Sequence, residues 1–310
     1  MRRPRASGAR LNPLSRVSRG HRSVFSCFFA SDLHGSVHRY QRLFESIASE
    51  RPRVVLLGGD LYPSGLAPWK GPPSSEGAFL SGFLVPELEA LRGSLGQSYP
   101  EILLILGNDD MRVEEEAIRE GEGGGLWRYL HGTSCSVGEF DFFGYGFVPP
   151  TPFLWKDWEQ YDVSRYVPPG SVSPEEGWRT VEVSPHEARY GTIKSGLEEL
   201  VGDRDLSRSV FLFHSPPHET KLDRAALDGK MVDHVPLDLH VGSIAIRRFI
   251  EARQPLLTLH GHIHESARLT GSWRDLIGRT HLLSAAHDGP ELALVRFDLE
   301  HPEGATRSLV

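Results

Sequence analysis

Short apolar runs punctuate this chain, and each stops abruptly at polar residues. They lie at 24–30, 54–57, 102–106, 210–213 and 256–259. Runs this short are too brief for helices. They are continuous rather than alternating, the mark of strands buried on both faces of a parallel sheet. Between them the period lengthens to that of a helix. Leu43, Phe44 and Ile47 share one face over 37–49, and Phe83, Leu84, Leu88 and Leu91 share one over 79–95, where Pro86 is expected to kink or restart the helix. A short acidic helix is expected over 111–120, ended by the glycines of 121–125, with further helices over 192–201 and 243–252. Residues 136–145 alternate like a hairpin strand, and 280–300 carry two final strands through Leu292, Leu294, Val295 and Phe297. The Pro- and Gly-rich stretch 63–73 reads as a loop, and 147–188 as a long irregular segment. Strand, helix, strand in repetition predicts a mixed α/β architecture.

The polar residues that end the five runs are of one chemical kind. The first run leads into Asp32-Leu-His34, the second into Gly58-Gly59-Asp60, the third into Gly107-Asn108-Asp109-Asp110. The fourth leads into His214 and the fifth into His260-Gly261-His262-Ile263-His264. Sites in α/β sheets form at the carboxyl ends of strands. In extended backbone, residues two apart face one side, so Asp32 with His34, and His262 with His264, can each reach one ion together. Gly261 permits a tight approach. Asp60 is placed for a carboxylate that bridges two cations, Asn108 offers an amide oxygen, and His214 an imidazole.

Composition narrows the rest. The 310 residues show no internal repeat and no linker between two cores, which predicts one domain over 23–310 with an irregular aromatic insertion at 147–188. Residues 1–22 hold seven Arg and no acid. They are expected to be a disordered extension or an over-long gene start; a transit peptide is the alternative. A signal peptide is rejected because cleavage after the first apolar run would remove Asp32 and His34. Of the 34 Lys and Arg, the remaining 27 face 41 acidic residues, a formal −14. An acidic body argues against a nucleic-acid footprint. Two cysteines, Cys27 and Cys135, are too few for a disulfide framework and point to a reducing, cytoplasmic setting, with Cys27 packed in a strand. No apolar run reaches the length of a membrane span.

Taken together, the order Asp-x-His, Gly-Gly-Asp, Gly-Asn-x-Asp, His and Gly-His-x-His resembles the calcineurin-like metallophosphoesterase superfamily, over roughly 24–264. More narrowly, His214-Ser-Pro-Pro-His218 and the stretch from His240-Val-Gly-Ser243 to Gly261-His-Ile-His264-Glu-Ser266 look like bacterial and archaeal Icc-related predicted phosphoesterases. The resemblance implies the metallo-dependent phosphatase fold, a four-layer α/β/β/α sandwich of two β-sheets flanked by helices. It also implies two divalent metals. Asp32, His34, Asp60 and His264 would hold the first; Asp60, Asn108, His214 and His262 would hold the second. The ions would lie roughly 3.5–4 Å apart, and a hydroxide bridging them would attack phosphorus in line. Histidine, carboxylate and amide donors suit Mn, Fe, Zn, Co or Ni, with Mn as the working choice.

One position departs from the pattern. The superfamily often has His in the middle of Gly-Asn-x-Asp, oriented by the following Asp, where it stabilises the transition state or protonates the leaving oxygen. Here that place is Asp109, followed by Asp110. Asn108, Asp109 and Asp110 are therefore the candidate catalytic residues. An ionised Asp109 would penalise a dianionic monoester more than a monoanionic diester, so a phosphodiesterase is expected. In the alternative, Asp110 raises the pKa of Asp109, which then serves as the acid. The other possibility is that Asp109 leaves specificity unchanged. His218 or His240 could replace the missing acid or be structural. Gly242-Ser243 could bind an anion at a helix start or simply cap it. Trp155, Trp158, Trp178, Phe153, Tyr161 and Tyr166 in 147–188 could stack a nucleobase or pin the loop as a satellite cluster. The expected partner is a small phosphoester, a nucleotide among the options. The rival functions are a phosphomonoesterase or protein phosphatase of the same fold, a repair nuclease, and a non-catalytic scaffold; the scaffold normally lacks ligands that are all present here.

Overall fold

The computed structural model describes residues 24–64 and 79–310. The expected N-terminal extension and most of the 63–73 loop lie outside the described residues. In chain order the elements are β1 (Ser26–Ala30), α1 (Val37–Glu50), β2 (Val54–Gly58), α2 (Val85–Leu95), β3 (Glu101–Ile105), α3 (Glu115–Glu122), β4 (Arg128–Tyr129), β5 (Ser134–Val137) and β6 (Phe140–Tyr145). They continue with α4 (Pro185–Tyr190), α5 (Ile193–Val201), β7 (Ser209–Phe213), β8 (Met231–Val232), β9 (Val235–Pro236), α6 (Ile244–Arg253), β10 (Leu257–His260), α7 (Ser266–Thr270), β11 (Arg274–Ile277), β12 (Thr280–Ser284), β13 (Ala293–Asp298) and β14 (His301–Leu309).

Two six-stranded sheets result, ordered β14-β13-β1-β2-β3-β4 and β11-β12-β10-β7-β6-β5. β1, β2, β3 and β4 run parallel, as do β6, β7, β10 and β12, while β5, β11, β13 and β14 pair antiparallel at the margins. The continuous apolar runs divide by parity. Cys27, Phe29, Val54, Leu56, Leu103 and Ile105 meet Phe142, Val210, Leu212, Leu257 and Leu259 in the core between the sheets. Their neighbours Phe28, Ala30, Val55, Leu57, Leu104, Phe211 and Phe213 belong to the core that takes in Tyr40, Leu43, Leu88, Ile246 and Ile250 of the helices. That is the four-layer α/β/β/α sandwich.

α1 starts where Ser36 accepts from the Arg39 N–H at 3.4 Å, and it buries Tyr40, Leu43, Phe44 and Ile47. Pro86 does not bend a continuous helix: a π-helical stretch, Leu80–Leu84, precedes it and α2 restarts there. Three expectations need correction. The stretch 136–145 is not one strand: positive φ at Gly138 turns the chain between β5 and β6. The acidic helix begins as a 3-10 turn, Arg112–Glu114, before α3. The chain closes with β14 as well as β12 and β13. Cys27 is buried, and burial pushes its thiol up. Among the described residues, no helix is long and apolar enough to cross a membrane.

Candidate metal centre

The carboxyl ends of β1, β2 and β3 from one sheet and of β7 and β10 from the other come out at one edge. The first two turns are stitched together: Asp32 N–H donates to Gly59 O (3.0 Å), His34 N–H to Asp60 O (2.8 Å) and Gly35 N–H to Leu61 O (2.9 Å). The backbone is bent sharply to do this. Asp32, His34, Asp60 and His262 all take positive φ, at 57°, 47°, 52° and 73°. Each costs roughly 1–3 kcal/mol and persists only where surrounding contacts hold it.

Side chains converge from these bends. One ligand atom from each of Asp32, His34, Asp60 and His264 falls within 4.8 Å of the others. His264 Nε2 lies 3.2 Å from Asp32 Oδ1 and 3.3 Å from His34 Nε2, which is 3.9 Å from Asp60 Oδ2. His214 Nε2 lies 3.3 Å from the same Asp60 Oδ2 and 3.0 Å from Asn108 Oδ1. The rings of His214 and His262 are 5.2 Å apart, and the His262 N–H donates to Asp32 Oδ1 at 3.0 Å. Asp60 Oδ2 thus faces both His34 and His214, while its Oδ1 accepts from the Asp109 N–H at 2.8 Å. The packing leaves no slack. A Cβ on Gly261 would meet the Ser31 hydroxyl and, at 2.8 Å, Asp32 Oδ2. One on Gly59, whose φ is +93°, would meet His214 Nδ1 at 2.7 Å.

Burial and charge oppose each other across this site. Burial works to raise the Asp32 pKa, but the histidines, His264 foremost, outweigh it and hold the carboxyl below its ordinary range. For Asp60, burial is likewise outweighed, chiefly by His214. Reciprocally, burial opposes the charged form of His264 and His214, yet Asp32 lifts the first to about 9 and Asp60 the second to about 10. Burial and the neighbouring His214 push His262 down to about 3. Asp32 Oδ2 is buried with no hydrogen-bond partner. Two buried carboxylates, facing imidazoles, an orphaned oxygen and no thiolate fit hard or borderline divalent metals.

The other candidates divide. Asp109 lies at the rim of an open cleft of about 590 Å³, shared with Leu33, His34, Ser36, His38, Arg39, Ser64, His264 and Pro290. Burial and the Asp60 charge raise its pKa; Asp110 is not the cause. Asp110 does not line the cleft. It is fully buried, and its two oxygens accept from Gly107 N–H and Tyr62 N–H, both at 2.8 Å, so it ties the third turn to the second. Burial first, then Asp60, pushes its pKa up to about 7. His218 lies 3.3 Å from Asp238 and His240 2.8 Å from Asp223, and neither lines the cleft. The Gly242-Ser243 turn already holds an anion of the chain's own. Asp162 accepts from Ser243 Oγ (2.5 Å), Ile244 N–H (2.7 Å) and Ala245 N–H (3.1 Å) at the start of α6.

Within 147–188 the aromatic residues split in the same way. Trp158 is fully buried and donates from Nε1 to Asp110 O at 2.9 Å. Tyr161 bonds Ser173 and Glu175, and Trp155 stacks on Trp178 at 5.0 Å. Phe153 and Tyr166 are exposed. Three contributors escaped the sequence reading. Arg39 donates to the carbonyls of Asp32 and Gly289, Ser31 Oγ donates to Gly58 O (3.1 Å), and Ser64 Oγ lies 2.5 Å from His34 Nδ1. Arg39 carried a faint signal, three residues after a Ser N-cap beside the first turn; Ser64 carried none.

Comparison with known proteins agrees with this geometry. No curated protein sequence matches the chain. One solved structure aligns with a TM-score of 0.58 at 16% identity, covering 92% of this chain and 99% of its own. The protein TT1561 of Thermus thermophilus aligns with a TM-score of 0.52 at 15% identity, covering 93% and 99%. At such identities the likeness is one of fold. The family model for calcineurin-like phosphoesterases matches residues 26–266, spanning all five turns that build the site. The chain belongs to the calcineurin-like phosphoesterase family, and its reaction class is phosphoester hydrolysis.

Proposed function

We propose that the protein is a two-metal phosphoester hydrolase that prefers phosphodiesters to phosphomonoesters. Asp32, His34, Asp60 and His264 hold one ion, and Asp60, Asn108, His214 and His262 the other. What supports this assignment is the place of Asp60, whose Oδ2 lies 3.9 Å from His34 Nε2 and 3.3 Å from His214 Nε2. Two divalent cations, when bound, supply an activated water for in-line attack and neutralise charge on the phosphoryl oxygens. Manganese is the metal we favour, since imidazole, carboxylate and amide donors face the site and both cysteines, Cys27 and Cys135, are free elsewhere. Free thiols also fit a cytoplasmic setting.

The preference for diesters rests on Asp109. Asp32 and Asp60 offset half of the charge that two divalent ions bring. The Asp109 carboxylate adds a third negative charge, 3.7 Å from His34 Nδ1 and 40% exposed at the rim. A dianionic phosphomonoester meets that charge with twice the repulsion felt by a monoanionic diester. The cleft leaves room for a second ester group beside His38 and Arg39, so a small diester such as a nucleotide derivative is the expected substrate. Steady-state rates on bis(4-nitrophenyl) phosphate and 4-nitrophenyl phosphate decide it. The diester should give the higher kcat/KM, and Asp109→Asn should shift the ratio towards the monoester by about three- to tenfold, a screened charge interaction of order 1 kcal/mol. A wild-type preference for the monoester overturns the proposal.

A further inference from the structure

Arg39 lines the cleft beside the metal centre, and neutral groups alone hold its guanidinium. Nη1 donates to Asp32 O, Nη2 to Gly289 O at 2.6 Å and Nε to Pro290 O at 3.5 Å. A guanidinium carries five N–H groups, always charged. Three are spent on carbonyls, which leaves one on each Nη. We propose that Arg39 is a specificity-determining residue whose two remaining N–H groups bind a second anionic group of the substrate. The substrate class is then a phosphodiester that carries a further phosphate, such as a nucleotide phosphorylated away from the scissile ester. This rests on the phosphodiesterase reading above and names its substrate more closely.

The charge on Arg39 has no counter-ion at hand. Arg268 meets Asp288 at 2.7 Å and Arg296 meets Glu50 at 2.8 Å, but Arg39 makes no ion pair among the described residues. The two acids whose charges reach it are engaged elsewhere. The Asp32 carboxylate turns into the metal centre, 3.2 Å from His264 Nε2, and Glu291 bonds His287 Nε2 at 3.1 Å. Asp109, the carboxylate on the cleft lining, lies with His34, 3.7 Å from its Nδ1. A half-buried cation left unpaired beside a cleft is stabilised by an anion that the ligand brings.

The guanidinium is also held in place before any ligand arrives. Asp32 O belongs to the turn after β1, and Gly289 and Pro290 to the segment between β12 and β13, so Arg39 spans two walls of the site. Its own backbone is fixed in the first turn of α1, where its N–H donates to Ser36 Oγ at 3.4 Å. Little side-chain freedom is left to lose on binding, and the planar fork matches phosphate oxygens in a way that a lysine ammonium does not. The cleft, about 590 Å³ and bordered here by His38 and Pro290, has room for more than the phosphoryl group under attack.

The test measures kcat/KM of the Mn2+-loaded protein on two esters that release the same 4-nitrophenol. They are thymidine 5′-(4-nitrophenyl phosphate) and the same ester bearing a 3′-phosphate. Wild type should favour the 3′-phosphorylated ester about tenfold, chiefly through KM. Arg39→Gln should bring that ratio to within about twofold of one, and Arg39→Lys should keep part of it, since Lys carries the charge without the fork. The ratio is taken within each variant, so a general loss of activity from the freed carbonyls cancels. A wild-type ratio near one, the result expected of an Arg39 that only tethers the 289–290 segment, overturns the subsite. So does a ratio that Arg39→Gln leaves unchanged. Hydrolysis of neither ester by wild type overturns the phosphodiesterase reading instead, and calorimetric affinities for the two esters then decide the subsite alone.

Discussion

Replacing Trp158 by Phe separates the two roles open to the aromatic segment. The indole is fully buried, and its N–H is 2.9 Å from the carbonyl of Asp110. That residue closes the turn that carries Asn108 and Asp109. Phe keeps an aromatic ring against His131 and Phe147, which pack on Trp158 at 4.8 and 5.7 Å, but it cannot donate. The buried carbonyl is left without this partner at a cost of about 1–3 kcal/mol, and the smaller ring leaves a void costing about 1 kcal/mol more. The sum is about 2–4 kcal/mol. At roughly 2–4 °C per kcal/mol for a chain of this class, Tm should fall by about 4–16 °C. Thermal unfolding followed by tryptophan-independent circular dichroism measures it. Turnover should fall through kcat as the third turn loosens, with KM for an aryl diester little changed. A Tm within about 2 °C of wild type together with a raised KM would refute the pinning role and return Trp158 to the substrate.

Other consequences follow from the same contacts. Because His264 and His214 are raised to about 9 and about 10 in the metal-free chain, folding binds their protons more tightly than the unfolded chain does. Their stabilisation is complete below about pH 6.5 and is lost as pH rises through 9 to 10, so the metal-free Tm should fall across that window; a flat profile contradicts the ion pairs with Asp32 and Asp60. Asp60→Asn should abolish paired metal binding and nearly all turnover, checked by metal content and single-turnover rates; near-wild-type activity contradicts the central place of Asp60. Gly261→Ala should displace Asp32 or Ser31 and lower metal affinity with a modest loss of stability, read by calorimetry and thermal melts; unaltered affinity would show that the turn can yield.

Much of this was legible in the sequence because the ends of buried strands are where an α/β protein can expose polar groups together. The five apolar runs could only be strands buried on both faces, and Asp32, His34, Asp60, Asn108, His214, His262 and His264 follow them directly. What stayed hidden depends on contacts between remote parts of the chain. Asp110 reads as a catalytic neighbour of Asp109 until its carboxylate is found bonded to Tyr62 N–H, 48 residues away. Gly242-Ser243 reads as an open anion site until Asp162 is found bonded to Ser243 from 81 residues away. The positive φ of Asp32, His34, Asp60 and His262 is imposed by the stitching of one turn to the next, and no local propensity announces it. Trp158 and Tyr161 could not be told apart from Phe153 and Tyr166 by type; burial alone separates the pins from the exposed rings.

The most direct test of the account follows bis(4-nitrophenyl) phosphate hydrolysis by metal-free protein as Mn2+ is added in known equivalents. The account predicts that turnover rises and breaks to a plateau at two ions per chain. A plateau at one ion per chain, or no hydrolysis at any ratio, would contradict it.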